Sequence, residues 1–255
     1  MKEPKALILR APGTNCDEET GYAFHLAGAC TEKVHINRFL EGTVGLDRYQ
    51  IFVVPGGFTY GDDLGAGKVL ANELVLRLGD HLLSFVESGG LVLGICNGFQ
   101  VLVRAGLLPA ATGKQSVSLL PNASGRFECR WVHLRVADNS PCVFTQGLEA
   151  FELAVAHGEG RLHVPAEVVD TIVPALQYCA PDLSAPEYPD NPNGSYMDIA
   201  GLTDSTGRIL GLMPHPERFV RRSQHPAWTR RDEPESPGDG LRFFTNAVRY
   251  ARELL

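Results

Sequence analysis

Three short apolar runs, Lys5–Arg10 (KALILR), Ile51–Val54 (IFVV) and Leu91–Ile95 (LVLGI), restrict the folds open to this chain more than any other feature. Such runs, bounded by turn residues and lacking apolar–polar alternation, read as strands buried on both faces. Helical patterns lie between them. Asn15–Ala29 carries acidic residues early and then Tyr22, Phe24 and Leu26. Asn72–Glu87 places Leu74, Val75, Leu78, Leu82, Leu83 and Val86 near helical spacing, and Gly89-Gly90 ends it. Asn97–Ala105 reads as a third helix, with Gly106 as its cap and Pro109 beyond. Strand, helix, strand, helix, strand predicts βαβ units, hence an α/β fold with an open, mostly parallel sheet and helices on both faces.

The second half is less regular. Trp131–Ala137, Leu153–His157, Ala175–Cys179, Ile199–Asp204 and Ile209–Met213 read as short strands. Pro181–Ser195, rich in Pro, Asp, Asn and Ser, reads as a loop, and polar Ser223–Asp239 as a surface insertion. Gly240–Leu255 closes the chain as an amphipathic helix. No repeat and no linker interrupts residues 1–255, so one domain is expected.

Composition narrows the function classes. A net charge of −7 argues against a nucleic-acid footprint. The opening MKEPKALILR has no secretory pattern, and no apolar stretch approaches the roughly 18 residues of a membrane span. The six cysteines are scattered and form no CxxC pair, as expected for reduced thiols in the cytoplasm.

One cysteine is framed unlike the others. Gly94-Ile95-Cys96-Asn97-Gly98 is a G-x-C-x-G pattern between a strand and a helix, the arrangement of a nucleophile elbow. A sharp turn strains the backbone at the nucleophile, and flanking side chains would clash, so glycines stand on either side. The next helix aims its N-terminus at the sulfur, which favours thiolate, and its free N–H groups can hold an oxyanion. A buried cysteine packed where strand meets helix is the plainer alternative.

A cysteine nucleophile needs a base. In Met213-Pro214-His215-Pro216-Glu217-Arg218, Pro216 biases His215 toward an extended backbone, where residues i and i+2 share a side. Glu217 can then steady one ring nitrogen while the other faces the sulfur. Pro55-Gly56-Gly57, at the end of an apolar strand, leaves backbone N–H groups bare where ligands of parallel sheets collect. Gly61–Val69 (GDDLGAGKV) fails as a phosphate loop, because five residues separate Gly61 from Gly67-Lys68 and Val69 replaces Ser/Thr. No histidine or cysteine set has metalloprotease or zinc-finger spacing, so no resident metal is expected.

GICNGFQ, VVPGGFTYGDDLGAG, AHGEGR and GLMPHPER together resemble the class I (triad-type) glutamine amidotransferases. PGGFTYGD, AHGEGR, NPNGS and the N-terminal APGTNCDEET resemble one branch of that family, the amidotransferase subunits of phosphoribosylformylglycinamidine synthase. The likeness covers Lys5 to Arg218 and the last helix. It implies a flavodoxin-like three-layer fold and hydrolysis of glutamine by Cys96, His215 and Glu217. It also implies an oxyanion and substrate set of Gly56, Gly57, Asn97 and Gln100. Ammonia would pass to a separate synthetase subunit, with a small accessory subunit allowed beside it. That partner would use ATP and Mg to convert formylglycinamide ribonucleotide to formylglycinamidine ribonucleotide in purine biosynthesis. This chain would need no cofactor. Two points depart from the family pattern: no arginine follows Leu64, and Ser223–Asp239 is long. His157 is left open between a partner contact and a turn brace. The alternatives are an amidotransferase serving another synthetase, a γ-glutamyl hydrolase, and a non-catalytic glutamine-sensing module.

Overall fold

A computed structural model of the chain describes residues 3–230 and 236–254. Its main sheet has nine strands in the order β2-β1-β3-β4-β11-β10-β9-β6-β7. These are β1 (Lys5–Arg10), β2 (Cys30–His35), β3 (Ile51–Val54), β4 (Leu91–Ile95), β6 (Glu128–Val136), β7 (Ala150–His157), β9 (Val173–Cys179), β10 (Ile199–Thr203) and β11 (Ile209–Leu212). The α-helices are α1 (Asp17–Leu26), α2 (Ile36–Leu40), α3 (Lys68–Glu87), α4 (Asn97–Arg104) and α5 (Leu241–Glu253). Strands β5 (Ser118–Pro121) and β8 (Glu159–His163) pair separately as a small antiparallel sheet.

The apolar runs account for the parallel half. β3, β4 and β11 are buried at every residue, and β1 at all but its ends. β1 pairs in parallel with β2 and β3, β3 with β4, and β4 with β11. From β1 the chain crosses through α1 to β2 on one side, and from β3 through α3 to β4 on the other. Right-handed crossovers in opposite directions put the two helices on opposite faces. α1 packs with α5, where Phe24 and Phe244 meet edge to face at 4.9 Å. α3 packs with α4. The α/β reading with helices on both faces therefore holds. From β11 onward the sheet continues through antiparallel pairs.

Some boundaries differ from expectation. β2 is absent from the sequence reading because CTEKVH lies at the sheet edge with one fully buried residue, so it carries almost no apolar signal. α3 begins at Lys68 rather than Asn72, straight after the left-handed Gly67. β6 and β7 each start three residues earlier than read, at Glu128 and Ala150. In the stretch read as a surface insertion, His225 is buried against Trp131 and Phe219, and residues 231–235 lie outside those described.

The order of strands places the site. The direction of winding reverses between β1 and β3, and ligands of open α/β sheets bind outside the carboxyl ends at such a switch point. The segments that follow β1, β3, β4 and β11 all emerge there. No described helix is long and apolar enough to cross a membrane.

Candidate active site

Cys96 caps the start of α4 with φ 53° and ψ −106°, a conformation costly for any residue with a side chain. Its geometry is set from both sides. The Cys96 N–H donates to Leu212 O at 2.7 Å, and Gln100 N–H donates to Cys96 O at 3.2 Å. Gly98 explains the frame of glycines: a Cβ there would stand 1.8 Å from Val54 O, so only glycine lets α4 press onto the end of β3. The sulfur is nearly buried, and its thiol lies 3.7 Å from Ala156 O on β7.

His215 follows β11, the strand beside β4, and the two strands end in register at Ile95 and Leu212. Neighbouring parallel strands thus bring together two residues far apart in the chain. Glu217 Oε1 lies 2.6 Å from His215 Nδ1, and both side chains are at most 1% exposed. The His215 N–H donates to Ala154 O at 2.8 Å. β7 therefore walls the site with two of its carbonyls, although it sits five pairings from β4. The antiparallel half must curl to bring it back. Burial opposes a charge on the His215 ring, but Glu217 and then the two nearby sulfurs, Cys96 and Cys16, outweigh it. Its pKa stands well above the ordinary histidine value.

The predicted oxyanion segment lies alongside. Gly56 O accepts from the N–H groups of Asn15 (3.4 Å) and Cys16 (3.2 Å), and Phe58 N–H donates to Gly13 O at 3.0 Å. The loop after β1 thereby splints the loop after β3. Among the described residues no acceptor takes the N–H of Gly57 or of Asn97. Both groups are free to meet a developing negative charge.

The Asn97 side chain is a junction. Its oxygen accepts from Thr59 Oγ1 (2.7 Å) and Thr59 N–H (3.2 Å). Its nitrogen donates to Asp62 Oδ1 (3.0 Å) and Gln100 Oε1 (2.9 Å). Gln100 Nε2 in turn donates to Glu159 O at 2.6 Å. Both ends of the Gln100 carboxamide are thus engaged within the protein. Burial raises the Asp62 carboxyl pKa, against the lowering effect of its bonds to Gly67 and Asn97.

His157 lies on the opposite face of β7 from Ala154 and Ala156, and is buried. Asn122 gives its amide hydrogens to His157 O (2.8 Å) and Arg126 O (2.9 Å), so its oxygen accepts from His157 Nδ1 at 3.0 Å. The ring braces the turn into β8. Burial, and then the charge of His215, push its pKa down to about 4. Asn193, of the NPNGS segment, donates to Gly160 O (2.9 Å) and Tyr178 OH (3.1 Å), which fixes the same turn.

Sequence reasoning missed Cys16, Thr59, Asp62 and Arg218. Cys16 is buried, donates to Asn15 Oδ1 at 3.2 Å and accepts from Arg218 Nη2 at 3.3 Å. It has no glycine frame, and the APGTNCDEET likeness was its one signal.

The CobB/CobQ-like glutamine amidotransferase domain family matches residues 3–251. A protein of Dehalococcoides mccartyi named phosphoribosylformylglycinamidine synthase subunit PurQ is 55% identical over the whole of both chains. One of the same name from Methanococcus maripaludis is 43% identical over 97% of each. Among solved structures, a chain in the structure of PurLQS from Thermotoga maritima superposes with a TM-score of 0.76 at 32% identity, covering 98% of this chain and 99% of that one.

Proposed function

Since the chain belongs to the CobB/CobQ-like glutamine amidotransferase family, and is a glutaminase subunit of phosphoribosylformylglycinamidine synthase, we propose that Cys96, His215 and Glu217 carry its chemistry. The ammonia it releases goes to the synthetase subunit that makes formylglycinamidine ribonucleotide, with a small third subunit in the assembly. What supports the residue assignment best is the pairing of β4 with β11, which ends one strand at the strained Cys96 and the other at a Glu217-held His215.

In this mechanism the Cys96 thiolate adds to the carboxamide carbon of glutamine. The carbonyl oxygen takes the negative charge and is held by the N–H groups of Gly57 and Asn97. As the tetrahedral intermediate collapses, the C–N bond breaks and His215 gives its proton to the departing ammonia. The neutral ring, steadied through Nδ1 by Glu217, then takes a proton from water. The hydroxide oxygen adds to the thioester, and the Cys96–carbon bond breaks to free glutamate. Gly56 positions Gly57. Gln100 holds the β8 turn against the elbow and borders the glutamine.

We place ATP and Mg on the partner; the failed phosphate-loop spacing of residues 61–69 supports this. Six unpaired cysteines support a cytoplasmic setting. The test is Cys96→Ala in the assembled synthase. Glutamine-dependent synthesis is expected to vanish while synthesis from free ammonia persists. Equal loss of both would make Cys96 structural.

A further inference from the structure

We propose that Cys16, His215 and Glu217 form a binding site for a thiophilic divalent cation of the zinc type, whose occupancy switches the glutaminase off by taking its base. The proposal rests on the reading of His215 as that base.

One donor atom from each of the three residues lies within 4.8 Å of the others. All three side chains are nearly or fully buried. Glu217 Oε2 is buried with no hydrogen-bond partner in the protein, so one carboxylate oxygen here is uncommitted. Because Glu217 lies on the Nδ1 side of the ring, the ion takes His215 Nδ1 in place of its bond to Glu217, which leaves Nε2 carrying the proton and unable to act as a base. Cys16 and His215 also flank the same backbone: a Cβ on Gly56 would stand 3.1 Å from Cys16 Sγ and 3.0 Å from His215 Cε1.

The donor types select the ion. Thiolate and imidazole favour Zn²⁺ and its like over Mg²⁺ or Ca²⁺, and a carboxylate completes a common three-ligand set with one position open. Bonds of about 2.0–2.3 Å need ligand atoms closer together than 4.8 Å, a contraction of about 1 Å. Cys16 stands directly before α1, and a bound zinc-type ion displaces the proton of a coordinating thiol outright. Arg218 donates to Cys16 Sγ at 3.3 Å and lies 3.8 Å from Glu217 Oε1, so its charge opposes a second cation. Its side chain is 36% exposed, and ion binding requires it to swing outward from both ligands. The two negative ligands exceed its single charge.

The decisive probe is Co²⁺ added to the full chain carrying Cys96→Ser, which removes the nucleophile's sulfur. A thiolate-to-cobalt absorption band in the near ultraviolet is expected, displaced by Zn²⁺. The band should vanish in Cys96→Ser/Cys16→Ser and in Cys96→Ser/Cys16→Ala, and Glu217→Gln should weaken binding at least tenfold. No band in Cys96→Ser, or a band that survives loss of Cys16 in a variant that still melts cooperatively, overturns the proposal. This readout needs no turnover, so it fails or succeeds separately from the glutaminase assignment. In the assembled synthase, Zn²⁺ should inhibit glutamine-dependent synthesis while sparing the ammonia-dependent rate. Cys16→Ser should raise the inhibitory concentration at least tenfold, relative to that variant's own uninhibited rate. Unchanged inhibition in that variant also overturns the site, since Cys96 and His215 alone would then suffice.

Discussion

The Thr59 hydroxyl donates to Asn97 Oδ1 at 2.7 Å, and this contact joins the oxyanion loop to the nucleophile elbow. The same carboxamide reaches Asp62 and Gln100. Two residues of the loop after β3 and one of α4 therefore share one buried side chain. Asn97→Ala would leave several buried polar groups unpaired, at about 1–3 kcal/mol for each group that water cannot reach. We predict a loss of stability of about 3 kcal/mol in urea unfolding. Glutamine-dependent turnover should fall at least tenfold while ammonia-dependent synthesis in the assembled synthase changes little. Asn97→Asp should not rescue it, because its carboxylate would face Asp62.

Backbone strain at Cys96 makes a separate prediction. At φ 53° and ψ −106°, alanine keeps the strain and glycine relieves it. Both variants are inactive, yet Cys96→Gly should be the more stable by about 1–2 kcal/mol, within the usual cost of such a conformation. Equal melting temperatures would show that the elbow stores no strain.

Gly98 has a stricter requirement. The clash of an added Cβ with Val54 O is with backbone, which no rotamer change relieves. Gly98→Ala should push α4 off β3 and lower the glutaminase rate at least a hundredfold, through displaced Asn97 N–H and Cys96 groups. Circular dichroism should show the helix content kept.

His157 links the site wall to pH. Its folded pKa of about 4 lies below the ordinary 6.5, so the folded ring stays neutral between those values while the unfolded ring takes up a proton. Stability from this residue is therefore present above about pH 6.5 and lost as pH falls toward 4. Between pH 6.5 and 5 the loss amounts to about 1.5 kcal/mol, because the slope reaches 1.36 kcal/mol per pH unit only once the unfolded ring is fully protonated. Urea unfolding of His157→Asn should show a smaller drop over that interval than the parent chain.

The parallel half of the sheet was legible because buried strands announce themselves as apolar runs, and the elbow because glycine is the residue that fits there. His215 and Glu217 were legible through the extended backbone that Pro216 imposes. β2 was not, since an edge strand with one fully buried residue looks like a polar loop. Cys16 was hidden for a different reason. Its place beside His215 comes from the loop after β1 splinting the loop after β3, a contact that neither segment encodes alone. The return of β7 over the site was equally hidden, because curl accumulates over many pairings and no single residue carries it.

The seat of β11 between β4 and β10 also dictates when this enzyme comes into being. Chains emerge from the ribosome amino end first. Cys96 and its elbow are made early, but the strand that delivers the base comes after all the other strands of the sheet. During that interval the sulfur has no His215 to activate it, even after β7 with Ala154 and Ala156 has been made. A chain made only as far as β10 thus carries the cysteine without the reactivity, and the active thiol is born only when β11 and His215 have followed.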